Sequence, residues 1–140
     1  MIIKYKYTAI PTSTDSKGKF TRRPLLKIFF CGTNINALGL LDSGADMTML
    51  NIDYAKLLGI DLSKSTQKNF RGIAEGFVRC YITEINLEIE HFGGKTFIIP
   101  VAFIDSENVD VLIGQEGIFD NFKIKFEKDH EIFELSEVKR

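Results

Sequence analysis

The chain has 140 residues, 44% of them hydrophobic, and a formal net charge of -1. That length suits one domain, residues 1–140, with enough apolar material for a core. The near-neutral balance, the lack of a dense Lys/Arg cluster and the shortness of every apolar run argue against nucleic-acid binding and against a membrane span.

Ile2–Ile10 alternates apolar and polar residues and predicts a strand. Pro11–Lys19, PTSTDSKGK, reads as a polar turn or the tip of a hairpin. Leu25–Cys31 is a buried strand, Gly32–Asn34 turns, and Ile35–Leu41 is the next strand. Asn51–Gly59 reads as a short helix: Asn51 caps it, Ile52, Ala55 and Leu58 share a face, and Gly59 ends it. Phe70–Glu90 looks like two strands with Gly72 and Gly76 near a bend. Thr96–Ile104 and Val109–Ile113 follow as strands, separated from what precedes by a turn at Phe92–Gly94. Gly117–Phe122 is a short helix or turn, and Phe122–Glu127 with Glu131–Leu135 forms a terminal hairpin across Lys128–His130. Many short strands with turn signals predict an all-β, barrel-like fold with one or two short helices.

Cys31 and Cys80 are too few for a disulfide framework. Each reads as a small hydrophobe in a strand, with a pairing between them left open. The opening MIIKYKYTAIP is too short in apolar residues for a signal peptide, so a reduced, cytoplasmic setting is expected. His91 and His130 are isolated, and no Cys/His spacing suits zinc. Asp105, Glu107 and Asp110 read as a solvated acidic loop rather than a cation site. Neither a metal nor a cofactor is expected.

The chemistry concentrates in Ala37–Leu50, ALGLLDSGADMTML, where an apolar run delivers Asp42 into a Ser-Gly-Ala turn. A carboxylate bracketed by buried-looking segments is costly unless it is paired or hydrogen-bonded, and such groups gather at functional sites. Strand alternation puts Leu38, Leu40 and Asp42 on one side, making Leu40 a candidate pocket wall. The bland alternative leaves Asp42 as a turn residue or helix-cap-like acid.

DSGA resembles the active-site loop of aspartic proteases, in which Asp-Thr-Gly or Asp-Ser-Gly precedes a small residue. A second stretch, Val109–Phe122, VDVLIGQEGIFDNF, resembles the hydrophobic-hydrophobic-Gly segment and short helix of the retroviral-type enzymes, the retropepsins. Two segments in the right order are far more specific than a lone DSG. The resemblance spans Pro24–Phe126 and implies a retropepsin-like acid-protease barrel. It further implies an endopeptidase whose water is activated by two aspartates sharing one proton.

One DSG in a chain too short for two lobes implies a homodimer that brings Asp42 of each subunit together, as two-fold symmetry does without further design. The resemblance gives Ser43 a role in holding the loop and Gly44 one in permitting close approach. It places Ala45 and Asp46 beside the substrate, with Met49 and Leu112 in the pocket. Ile113 reads as core. Gly72, Ile73, Ala74, Glu75 and Gly76 lie in the glycine-tipped hairpin, the flap, that such enzymes close over an extended peptide. RGIAEG equally suits an ordinary hairpin. Gln115 departs from the pattern, because viral enzymes commonly carry Arg there, paired with the acid equivalent to Asp46. The terminal hairpin then offers a substitute dimer contact. The partners expected are thus a second copy and a peptide or protein substrate, with no nucleic acid and no membrane. Two other readings remain: an inactive peptide-binding or dimerisation module on the same fold, and a plain β-barrel scaffold.

Overall fold

The computed structural model describes residues 1–11, 20–72 and 76–139, the side chains of residues 71 and 72 excepted. Its strands are β1 (Ile2–Lys6), β2 (Thr8–Pro11), β3 (Phe20–Arg23), β4 (Leu25–Phe30), β5 (Asn36–Leu41) and β6 (Thr48–Asn51), followed by β7 (Thr66–Gly72) and β8 (Gly76–Ile89). Then come β9 (Phe97–Ile104), β10 (Val111–Ile113), β11 (Phe122–Glu127) and β12 (Ile132–Glu137). Two short helices, α1 (Asp53–Leu58) and α2 (Ile118–Asn121), and a 3-10 turn at Leu62–Lys64 complete the described elements.

The main sheet has seven strands in the order β4-β5-β10-β6-β9-β8-β7, and a further pairing of β4 with β8 closes it into a barrel with β7 outside the ring. β8 makes this closure possible because it is long. Its first half pairs with β7, its second half with β9, and its last residues with β4, as in Leu87 opposite Phe30. The barrel interior is apolar: Leu26, Ile28, Leu50, Leu87, Ile99, Val101, Phe103 and Ile113 are each fully buried.

A three-stranded sheet, β1-β12-β11, packs against the barrel. Phe133 and Leu135, both fully buried, fill its inner face, and Tyr5 stacks on Phe133 at 4.9 Å between ring centroids. The Tyr5 hydroxyl donates to the Glu90 carbonyl at 2.6 Å and so ties this sheet to the turn after β8. Burial first, and Glu90 second, push that phenol well above its ordinary range. Phe122 adds edge-on contacts with Phe92 and Phe97.

Most of the expected strands occur, with informative differences. The first strand breaks at Tyr7, whose N–H donates to the Glu131 carbonyl. The chain there leaves the terminal sheet and enters a separate ribbon of β2 and β3. The hairpin expected around Pro11–Lys19 exists in this ribbon, while its tip lies outside the described residues. β3, β6 and the polar start of β7, Thr66–Asn69, escaped the alternation rule because they are short or polar on both faces.

Asn51 ends β6, and the boundary residue of α1 is Ile52, which makes no side-chain bond of its own. The Asn51 side chain does the capping from one residue earlier: its oxygen accepts the Asp53 N–H at 2.9 Å, while its amide donates to the carbonyls of Ser106 and Val109 at 2.9 and 2.8 Å. Gly59 does end the helix, in the left-handed conformation that glycine adopts without strain. Cys31 sits just past β4 rather than within it, and Cys80 is fully buried in β8. Both thiols are free.

Because Phe133 supports the packing of the terminal sheet, Phe133→Ala should cost about 3–5 kcal/mol. Urea denaturation followed by circular dichroism should show a lower midpoint with an unchanged slope.

Candidate active site

β5 alternates sharply. Ala37, Gly39 and Leu41 are buried, whereas Leu38 is 45% exposed and Leu40 half-buried, so Leu38 and Leu40 share the face away from the core. The strand ends at Leu41, and the chain turns at once. The Asp42 N–H donates to the Ile113 carbonyl at 2.9 Å, and the Ala45 N–H donates to the Asp42 carbonyl at 3.1 Å. Asp42 is half-buried, Ser43, Gly44 and Asp46 are exposed, and Ala45 is buried. The Gly44 N–H donates to Asp42 Oδ1 at 2.9 Å, one charge-assisted bond within the loop. A Cβ on Gly44 would lie 3.2 Å from that same oxygen, so glycine keeps the approach open.

The loop is held by the segment after β10. The N–H of Gln115 donates to the Ala45 carbonyl at 2.9 Å, and that of Glu116 to the Asp46 carbonyl at 2.8 Å. The Gln115 side-chain amide donates to the Ser43 carbonyl at 2.7 Å. Gly114 lies so close beneath that a Cβ there would sit 2.4 Å from the Met47 carbonyl oxygen and 2.7 Å from that of Ala45. Thr48, fully buried, accepts the Gly114 N–H at 3.4 Å. Where a basic residue was the expected pattern, Gln115 thus braces the loop within its own chain.

Beside Asp42 runs an apolar row. Leu112 is register partner to Leu40 on β5 and to Met49 on β6, and Met49 in turn to Ala102 on β9. Leu40, Met49 and Leu112 are half-buried on this face, while Leu41, Leu50 and Ile113 fill the core behind them. Strand alternation singled out Leu40, the resemblance placed Met49 and Leu112 in the pocket, and the structure brings the three together.

The same face continues into a second apolar cluster, distinct from the barrel interior. Cys80, Ala102 and Ile104 are its buried centre, with Met47, Phe70, Val78 and Ile82 packed around them. Sequence reasoning missed this cluster. Its members include Met47 just before β6, Met49 within it, and residues of β7, β8 and β9, and only the register of those strands reveals that they meet. The cluster roots the β7–β8 hairpin on the site face. Of the predicted hairpin-tip residues, Ile73, Ala74 and Glu75 lie outside the described residues. Gly72 and Gly76 are partners across the hairpin, and Gly76 adopts a positive φ of 72°. Phe77, beside it, is 76% exposed.

Asp105, Glu107 and Asp110 are exposed, and their loop is gripped by the neutral Asn51 amide. Among the described residues, no three His, Cys, Asp or Glu side chains converge in a way that would hold a metal ion.

A family model described as aspartyl protease matches residues 29–116, which is well over half of the chain. The chain belongs to the aspartyl protease family. The matched span runs from the end of β4 through the Asp42 loop to Glu116, so it contains both halves of the interlocked site. Among solved structures, the chain resembles a retropepsin-like aspartic protease from Rickettsia conorii, with a TM-score of 0.63 and 20% identity. The superposition covers 91% of this chain and 98% of that one, and it establishes a retropepsin-like, all-β fold. A comparison with curated protein sequences finds no match. No helix among the described residues of this aspartyl-protease-family chain is long and apolar enough to cross a membrane.

Gly39 and Gly114 give a contrasting pair of tests. A Cβ on Gly39 would meet the side chains of Ile113 and Val111 at 2.7–2.8 Å, whereas one on Gly114 meets backbone. Both alanine variants should lose about 1–3 kcal/mol of stability. Ile113→Val should recover part of the loss in Gly39→Ala and none in Gly114→Ala, as read by urea midpoints.

Proposed function

We propose that this protein is a homodimeric aspartic endopeptidase in which Asp42 of each subunit forms half of a catalytic dyad. One observation carries the reading. Asp42 projects from an exposed loop that is pinned on both sides, accepts the Gly44 N–H, and stands at the end of an apolar row. Such a carboxylate has no evident part in packing, and a rigid setting is what general acid–base work requires.

Two carboxyl groups about 3 Å apart cannot both ionise, so the pair holds a shared proton. The ionised member removes a proton from a water, whose oxygen attacks the scissile carbonyl carbon. The protonated member gives its proton to the carbonyl oxygen. Collapse of the tetrahedral intermediate then expels the amine, which takes up the proton held by the dyad, while a hydroxyl of the intermediate returns a proton to the dyad as the carboxylic acid forms, and the shared proton is restored. Because one chain supplies one Asp42, a two-fold axis through the loops completes the site.

In this reading an extended peptide lies along Leu40, Met49 and Leu112, with Ala45 and Asp46 beside its backbone. The β7–β8 hairpin, from Gly72 through Ile73, Ala74 and Glu75 to Gly76, closes over it and excludes water. Ser43 and Gly44 keep the loop in shape.

The terminal sheet adds to the interface through its outer face, where Lys4, Lys123 and Lys125 stand exposed around Glu134. Deleting the last strand would not test this, because Phe133 and Leu135 belong to the core. Surface charge reversal does. Lys4→Glu with Lys125→Glu should weaken the dimer severalfold in sedimentation equilibrium at low salt. An unchanged association constant would remove the terminal sheet from the interface.

Asp42→Asn is the decisive variant for catalysis. Cleavage of a diverse peptide library, followed by mass spectrometry across a pH series, should fall at least about a hundredfold. The melting temperature should stay close to that of the unsubstituted protein. Retained cleavage in Asp42→Asn would end the mechanism. A folded, stable monomer that binds peptide without cutting it would favour the inactive binding module instead.

A further inference from the structure

The two hydrogen bonds that meet at Ser43 and Gly44 grip one and the same chemical unit. The Ser43 carbonyl and the Gly44 N–H are the two polar edges of a single peptide group, and that group is planar and trans. Gln115 Nε2 holds the carbonyl edge at 2.7 Å, and Asp42 Oδ1 holds the N–H edge at 2.9 Å. Planarity makes these bonds interdependent: fixing the direction of the carbonyl fixes the direction of the N–H.

Rotation of this one peptide, by opposed changes in the flanking dihedrals, would turn the carbonyl towards the Asp42 carboxylate and the N–H away from it. Gly44, lacking a Cβ, does little to resist such a flip. The other bonds of the loop do not prevent it, because they hold different peptides: Asp42 N–H to Ile113, Ala45 carbonyl to Gln115 N–H, Asp46 carbonyl to Glu116 N–H. Those are also backbone bonds, which survive substitution. The bond on the Ser43 carbonyl depends on the identity of the side chain at 115.

We propose that Gln115 is a positioning residue that locks the Ser43–Gly44 peptide, keeping the Gly44 N–H directed at the Asp42 carboxylate. Its consequence for turnover rests on the protease reading given above, but its effect on the peptide does not. A neutral amide suits this task. It offers a donor to the carbonyl without placing a full charge beside Asp42 and Asp46. Polarising the carbonyl also strengthens the N–H at the far edge of the same group.

The test pairs Gln115→Ala with Gln115→Glu. The second keeps the shape of the side chain and, once ionised, has no donor for a carbonyl. Gln115 is exposed, so both variants should keep the melting temperature of the parent. In nitrogen-15-labelled protein, the Gly44 amide proton should shift upfield and exchange about tenfold faster in both variants. Gln115→Lys, which retains a donor, should keep the Gly44 amide exchange near that of the parent, although its charge beside Asp42 and Asp46 changes kcat. With a cleaved peptide, kcat should fall about tenfold while KM changes less than twofold, because the contact acts through Asp42 rather than on the peptide.

An unchanged Gly44 amide in both folded variants would overturn the proposal. So would a rise in KM at constant kcat. If the Gly44 amide responds as expected while the parent cleaves nothing, the positioning role stands and the protease reading fails.

Discussion

The site depends on the interlock between two short segments, Asp42–Met47 and Ile113–Glu116. Backbone bonds join them at Asp42, Ala45 and Asp46, and the side chain of Gln115 adds a bond at Ser43. The interlock exists because Gly114 has no side chain. Any Cβ there would occupy the space of the Met47 and Ala45 carbonyl oxygens. A polar loop at the surface would ordinarily be among the more mobile parts of a chain. Here it is bonded to a strand, β10, that is itself paired on both sides by β5 and β6. Rigidity is thereby transmitted from the barrel to the carboxylate.

The same strands divide the molecule into two apolar environments. On one face of the sheet lie Leu41, Leu50 and Ile113, fully or almost fully buried in the barrel. On the other lie Leu40, Met49 and Leu112, half-buried, merging into the cluster around Cys80, Ala102 and Ile104. The first environment stabilises the fold. The second keeps apolar surface beside Asp42 and anchors the β7–β8 hairpin next to it. A period of two along each strand is enough to make both, since alternate side chains point to opposite faces.

Much of this was legible in the chain. Alternation in Ile35–Leu41 placed Leu38 and Leu40 on the side of Asp42, and the exposures agree. Gly59 was recognisable as a helix stop, because the left-handed conformation there favours glycine. Other elements were hidden for physical reasons. β7 begins with the polar run Thr66–Asn69, which has no apolar face to announce a strand. Asn51 has the side chain of a helix cap and its oxygen serves α1, but its amide also holds the 106–109 loop, a partner more than fifty residues away in sequence. Local propensity cannot anticipate such a partner.

By itself, then, the sequence determined the all-β class, the approximate strands, the family resemblance carried by the DSG loop, and which residues of β5 share a face. These follow from side-chain periodicity, turn chemistry and motif order, all of which act over a few residues or along one segment. Only the tertiary structure decided that β4 closes on β8, that the last strand is core, and that a glycine and a glutamine beyond β10 hold the Asp42 loop. Those outcomes depend on register between strands far apart in the chain. Register is set by simultaneous packing of both sheet faces, which no short window of sequence contains.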